Sequence, residues 1–453
     1  MTVISYQLSV ISKHLFLTGL LILSFVITDL AQVSKKPSIA DQATLVSEFD
    51  VNGLKVLVKR RINSPTVAAG LFIRGGARNI NAKNAGIENF MLEVATEGSK
   101  NFSRETLRRE LARTGSSVGS SAINDYSVLS LASTRQNFDR SWNVFTDIAL
   151  NPTFAAGDLE QARQRIATGL REQETDNDNF LQVLQDRIIY AKHPYANSVT
   201  GTIETINGFT AKDLAEYHQK IMQTSRLLLV VVGDIDSKEL QNRVAATLGK
   251  LPRGEYKEQP FPALDFSKPT VDVTARTLPT NYVQGVFNAP SLNSRDYSAM
   301  RVAVGILQSR VNEEVRNKRQ LSYAPNAELE SFAANTANIY VTAVDANQAV
   351  GVMLNEINNL KTRTILPEVI SSIAGHFLTT YYQGQETNRA QAAELAKYEL
   401  IGGGWRNSFN FLDKVLDVKP EDVQTVSKNY MKNLRFVVIG DPLAVDKNIF
   451  LQN

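Results

Sequence analysis

A chain of 453 residues, 43% hydrophobic and 21% charged, has the composition of a soluble globular protein and room for roughly two to four domains. Its 49 Lys and Arg nearly balance 46 Asp and Glu, and a net charge of +3 gives no polyanion-binding signature, so no nucleic-acid partner is expected. Cysteine is absent, which excludes disulfides, thiolate zinc sites, cysteine nucleophiles and a lipid-modified cysteine; the four histidines, His14, His193, His218 and His376, are far apart in sequence.

Lys13 and His14 precede an apolar run from Leu15 to Ile27, broken only by Thr18, Gly19 and Ser24. The run is short of the about 20 residues a membrane span needs, but it suits the apolar core of a secretory signal. Cleavage after Ala31 would place Asp29 three residues before the cut, which signal peptidase disfavours, so residues 1–31 read as a signal peptide or an uncleaved anchor. Export, to the periplasm, is expected in both cases, with membrane association through 15–27 in the second.

Strand patterns run from Gly53 to Lys59 and from Val67 to Ile73, helical spacing from Asn84 to Glu97 and from Arg104 to Thr114, and strand character returns at Tyr126 to Ser133. A long helical stretch covers Leu159 to Ile189, a helix Ala211 to Met222, and an apolar strand Leu227 to Val232. Four prolines in Leu251 to Pro269 mark a linker. Beyond it, strands are expected near Tyr282 to Phe287 and Ile339 to Val344, with helices from Ser294 onward. The two portions end alike, in a helix followed by an apolar run closing at Gly233-Asp234 and at Gly440-Asp441. A duplicated unit of roughly two hundred residues follows. The expectation is an α+β fold of two homologous domains, 40–250 and 270–453, each an antiparallel-rich sheet covered by helices.

Several strings then carry a resemblance. Asn52-Gly53-Leu54, Gly75-Gly76-Ala77-Arg78, AGIENFMLEVATEGSKNFS, Gly115, Asp125, Asn151-Pro152-Thr153-Phe154, His193-Pro194-Tyr195-Ala196, Gly201-Thr202 and VRNKRQLSY occur in the order found in the insulinase/pitrilysin zinc peptidases. The chain resembles that family, including the mitochondrial processing peptidase subunits, over roughly residues 45 to 445. The resemblance implies an inverted His-x-x-Glu-His, whose two imidazoles at i and i+4 reach one zinc while the Glu serves as general base. Here the pentapeptide is Asn89-Phe90-Met91-Leu92-Glu93: Asn89 and Glu93 replace both imidazoles and Leu92 the base. The family's downstream Glu ligand would fall near Ala167-Thr168-Gly169-Leu170, which holds no carboxylate. Asn89, Glu93 and Glu97 stack at i, i+4, i+8 and could present an oxygen-rich face to a harder cation, but a plain polar helix stripe is the preferred reading, with no metal or other cofactor in this chain.

The family's second feature is an Arg and Tyr that bind the substrate backbone and the developing oxyanion, and it aligns with Arg316 and Tyr323. Spacing alone would favour a helix-end Arg in a surface ion pair and a strand-packed Tyr; the resemblance reverses that preference. Lost zinc ligands with a retained Arg/Tyr pair is the pattern of the non-catalytic chain in two-subunit members, where two chains, each half of a clamshell, close around a chamber. The resemblance therefore implies a chain inactive alone, a homologous catalytic partner with an intact zinc motif, zinc in that partner, peptide substrates, and Arg316 and Tyr323 acting in trans. A scaffold protein or a standalone peptide-binding protein is the alternative. His193 reads as a turn or cap residue, His218 and His376 as surface or satisfied core residues, and Gly402-Gly403-Gly404 as a helix C-cap and turn.

Overall fold

The structure is a computed structural model that describes residues 42–452; the apolar run Leu15 to Ile27 and the cleavage point after Ala31 lie outside them. Among the described residues no helix is long and apolar enough to cross a membrane. Two sheets carry the fold. The first contains β1 (Val46–Val51), β2 (Leu54–Arg60), β3 (Thr66–Arg74), β4 (Ser117–Ala122), β5 (Tyr126–Thr134) and β6 (Leu227–Gly233), in the order β1-β2-β6-β3-β5-β4. The second contains β7 (Thr270–Ala275), β8 (Asn281–Asn288), β9 (Asn326–Leu329), β10 (Thr336–Ala343) and β11 (Arg435–Gly440), in the order β7-β11-β8-β10-β9.

The two orders are one topology used twice, with β1 an additional edge. In each, the last strand returns to lie between the first two strands of the unit, parallel to the first and antiparallel to the second. That central place explains why β6 reads LLLVVVG, buried at every position: a strand covered on both faces has no solvent side on which to alternate. The duplication read from the chain ends is therefore present in the strand pairing.

The covering helices are exchanged between halves. Leu54, Val56 and Val58 of β2 and Leu227, Leu229 and Val231 of β6 face the core of the first half, with Phe90, Trp142, Phe145 and Leu214 from its own helices. The alternate residues Leu57, Leu228, Val230 and Val232 are equally buried, and helix Asn388–Ile401 of the second half packs on β3 and β6. Asn388 donates from Nδ2 to the Thr66 carbonyl at 2.7 Å, and Arg389 to Ser130 Oγ at 2.7 Å. Reciprocally, helix Asn177–Ile189 of the first half packs on β8 and β11, where Leu181 joins Val437 and Ile439 and Gln185 donates to the Arg435 carbonyl at 3.1 Å.

Leu45–Asn453 accordingly forms one compact unit. The stretch 251–269 has no helix or strand, but it is no loose tether: Phe261, Leu264 and Phe266 pack with Tyr190, Tyr195, Val286 and Ala334. The helical stretch expected from Leu159 to Ile189 is helical, as two helices, Ala156–Thr175 and Asn177–Ile189. Asp176 adopts an extended conformation between them and its carboxylate accepts from the Asn179 N–H at 2.9 Å, so an N-cap ends one helix and starts the next.

Candidate functional site

The sequence AGIENFMLEVA becomes a short helix, Ile87–Ala95, behind Gly86. Gly86 has φ +83°, and a Cβ there would lie 2.5 Å from Gly201 Cα, so both glycines of the motif are required for one backbone crossing. Glu88 is buried and anchors the helix through Arg226 at 3.0 Å and the Tyr217 hydroxyl at 2.8 Å. Asn89 is buried, and Leu92, where the resemblance places a general base, is 4% exposed. Leu92 faces Leu71, Leu129 and Ile148 across a void of only about 10 Å³, and is a core side chain.

Glu93 and Glu97 do point to one place, and a guanidinium stands there. Arg165, from helix Ala156–Thr175, lies 2.7 Å from Glu97 Oε1 and 3.6 Å from Glu93 Oε2. Arg104 and Arg108, from helix Arg104–Thr114, reach the other oxygen of Glu97 at 3.0 and 3.5 Å. Burial raises the Glu93 carboxyl above its usual range, and Arg165 works against that rise. A zinc ion does not fit this donor set: no imidazole is present, the base position is apolar, and a fixed cation already bridges the carboxylates. Among the described residues no group of three or more His, Cys, Asp or Glu converges as metal ligands would. Gly169, near the expected third ligand, has nothing within 4 Å of where a Cβ would stand.

Arg316 and Tyr323 are brought together. Helix Tyr297–Val311 widens into a π-helical turn, Asn312–Lys318, a distortion frequent at functional sites. Gln320 then takes φ +53°, and the chain folds back so that the Leu321 N–H reaches the Val315 carbonyl at 2.9 Å. The Arg316 guanidinium stacks 4.3 Å from the Tyr323 ring centroid, with Tyr323 80% exposed. Glu314 engages Lys318 at 2.7 Å and Arg319 at 2.5 Å, and no carboxylate among the described residues lies within 4 Å of Arg316. Neither half of the surface-pair alternative is met, since Arg316 forms no such ion pair and Tyr323 lies outside any strand. No hydrogen bond or ion pair among the described residues links this pair to helix Ile87–Ala95.

Other residues of the resemblance build the seam between the halves. Tyr195 donates its hydroxyl to Asp125 Oδ1 at 2.5 Å, and Asp125 Oδ2 accepts from the Ala333 N–H of the second half at 3.1 Å. Arg78 lies 3.8 Å from Asp125, pairs with Glu258 and stacks on Phe261 of the 251–269 stretch. Burial raises the Asp125 carboxyl despite these donors. His193 caps the following turn, its Nδ1 accepting from the Tyr195 N–H at 3.1 Å. His218 is held by the Ala149 carbonyl at 2.9 Å, and His376 lies on helix Pro367–Gly384. Gly402-Gly403-Gly404 ends helix Asn388–Ile401 in a turn, with Gly403 at φ +75°.

Residues 55–203 match the insulinase (peptidase family M16) family, and residues 208–369 match the peptidase M16 inactive domain. The chain belongs to the M16 peptidase family. This M16 chain is 24% identical to the mitochondrial-processing peptidase subunit beta of Saccharomyces cerevisiae, over 54% of its own length and 54% of that protein. To the subunit of the same name from Blastocladiella emersonii it is 22% identical, covering 86% of this chain and 87% of that one. A solved peptidase M16 inactive domain from Pseudomonas fluorescens superposes with a TM-score of 0.78 at 18% identity, covering 88% of this chain and 99% of that one, a likeness of fold. The sequence reading singled out Asn89, Leu92, Glu93, Arg316 and Tyr323 and did not name Arg104, Arg108 and Arg165, which the structure sets against Glu97. The one signal was the basic spacing of RETLRRE and QARQRI, which gives no hint of which carboxylate it meets.

Proposed function

We propose that this chain is the non-catalytic, substrate-binding member of an exported two-chain zinc peptidase. A homologous partner with an intact His-x-x-Glu-His holds the zinc, and the two chains close as a clamshell around the peptide. Arg316 and Tyr323 complete the partner's site. The observation that supports this most directly is the stacked pair itself. Arg316 has no carboxylate of its own, Tyr323 is almost fully exposed, and the neighbouring cations are tied to Glu314. A guanidinium offers parallel N–H donors and a phenol one O–H donor, both suited to a peptide carbonyl that is becoming an oxyanion. The chain's own former metal helix, closed by Leu92 and Arg165, leaves it no base with which to act alone.

The test is steady-state kinetics on the reconstituted pair, with dimer content matched by size-exclusion chromatography. Tyr323→Phe should lower turnover by roughly a hundred- to a thousandfold, the cost of about 3–4 kcal/mol for one lost oxyanion donor, while assembly survives. Arg316→Ala should do the same and also raise KM, because a guanidinium holds the ground-state carbonyl too. A scaffold protein would show turnover unchanged within about twofold for both variants, and that result rejects the reading.

A further inference from the structure

The duplication leaves one place unfilled. Arg61 and Arg276 are equivalent residues: each follows the first strand of its unit and donates its N–H to the glycine that closes the central strand, Gly233 at 2.9 Å or Gly440 at 3.1 Å. Backbone groups alternate in direction along a strand, so Thr270, Asp272 and Thr274 turn theirs towards β11, where the Thr270 N–H reaches the Leu434 carbonyl at 3.3 Å. Val271, Val273 and Ala275 turn theirs the other way. In the first half the equivalent positions are Val56, Val58 and Arg60, and there Val56 and Val58 pair with Phe49 and Ser47 of β1. No strand takes that place beside β7. The outward N–H and C=O groups of Val271, Val273 and Ala275 have no hydrogen-bond partner among the described residues.

The chain ahead of β7 does not supply the strand. β1 turns into β2 through Asn52 and Gly53, both at positive φ. β7 instead follows Pro269, and the residues before it are held elsewhere: Phe266 packs in the seam and its carbonyl accepts from Asn433 at 2.8 Å. A floor for a strand is in place all the same. Helix Ser237–Ala246, after β6, packs on β1, and helix Lys447–Phe450, after β11, packs on β7. Leu443, in the turn before that helix, is 96% exposed, and Leu451, just after it, 40%. An edge strand with one charged residue, Asp272, no proline and exposed leucines on the elements beside it is a template for another strand.

We propose that β7 is an interface between two copies of this chain, paired antiparallel to itself about a two-fold axis. The edge is self-complementary in that arrangement. With Val273 opposite Val273 of the copy, Val271 faces Ala275, and every outward N–H and C=O of the three residues finds a partner. Asp272 then lies opposite Thr274, so like charges are not set directly against each other. The two sheets become one continuous sheet. β7 is the edge opposite β9, and Tyr323 lies just before β9, so the pairing leaves the Arg316/Tyr323 face free. The inference therefore does not depend on the proposed function, and its test uses this chain alone.

The experiment is sedimentation velocity on the purified chain across a concentration series. The wild type should be a dimer that dissociates on dilution. Val273→Pro removes an N–H that bonds to nothing within the chain, so the variant should keep its far-UV circular dichroism and urea midpoint while its dimer weakens at least about tenfold. Leu443→Ser changes an almost fully exposed side chain and keeps the test open if Val273→Pro misfolds; it should weaken the dimer by about threefold or more. A wild type that stays monomeric up to about 100 μM overturns the proposal. So does a dimer that neither substitution weakens, since it is then joined through another face. A monomer that binds a dye-labelled peptide copying Val46–Val51 also overturns it, because the edge then takes a strand from a different chain.

Discussion

Each half of the molecule holds a cleft beside a long late helix, but different parts line the two. In the first half these are helices Arg104–Thr114 and Ala156–Thr175; in the second, helix Tyr297–Val311, β9 and helix Pro367–Gly384. The first cleft is polar, its carboxylates met by three guanidiniums. The second is a cavity of about 350 Å³ floored by Val304, Ile373 and Phe377. There Arg301 stacks on Phe377 and donates to the Leu329 carbonyl at 3.5 Å, while Gln308 accepts from the Ala327 N–H. Those are the outward backbone groups of β9, so side chains already occupy the edge that another strand would need. Duplication preserved the strand order and the helix exchange but not the chemistry between the helices. Backbone topology and cleft chemistry are separable properties of one fold.

The largest effect expected from breaking this contrast comes from placing a carboxylate at position 92. Leu92→Glu puts a carboxylate into a packing site whose one polar lining side chain is His218, kept neutral by burial, and should cost about 4 kcal/mol or more of stability. Combining it with Asn89→His and Glu93→His should still yield no stoichiometric zinc, since Gly169 supplies no ligand and Arg165 remains. Plasma emission analysis finding about one zinc per chain in that triple variant would overturn the account of why the first cleft is closed to metal. A smaller change tests the exchange itself. Leu181→Ala and Leu395→Ala, on the two exchanged helices, should each cost about 2–5 kcal/mol and shift one common urea transition. Two separate transitions, only one of them moved, would mean that the halves unfold independently.

Much of the fold was legible because it lies in local pattern. β2, β3, β5, β6, β8 and β10 are apolar runs or alternations, and helix Arg104–Thr114 has the bounds its Ser103 cap and Gly115 stop imply. β1 and β4 were not legible: they are edge strands, half exposed, and SVGSSA carries no apolar alternation. Asp176 was invisible within a helical period because its capping role depends on which way the chain turns next. In the site, the position of the altered pentapeptide could be read directly, and so could the pairing of Arg316 with Tyr323. Arg165 could not, since its meaning comes from a helix that arrives many residues later to cover Glu93 and Glu97. The helix exchange is likewise a contact between distant segments, and no periodicity encodes which sheet an amphipathic helix will cover.

The smallest effect sharpens the comparison through a carboxylate left uncompensated. In the first cleft Glu97 touches three guanidiniums, but Glu330, just beyond β9, has no such partner. Burial, then Glu328 and Asp186, push the Glu330 carboxyl up to about 7; Arg301, committed to Leu329 and Phe377, opposes the shift only in part. Asp186, on the exchanged helix Asn177–Ile189, is itself pushed up to about 6 by burial. A carboxyl raised in the folded state holds its proton there while the unfolded chain has already lost it. The stability this proton contributes is fully present below about pH 4.5 and is lost as pH rises through about 7. Glu330→Gln keeps the shape of the protonated acid and removes the titration. Variant and wild type should therefore match near pH 4, and the variant should be more stable near pH 8 by about 2 kcal/mol, allowing for the partial solvent access of Glu330. Urea unfolding at the two pH values measures both differences. A gap that does not widen with pH would mean that Glu330 is solvated like an ordinary surface acid.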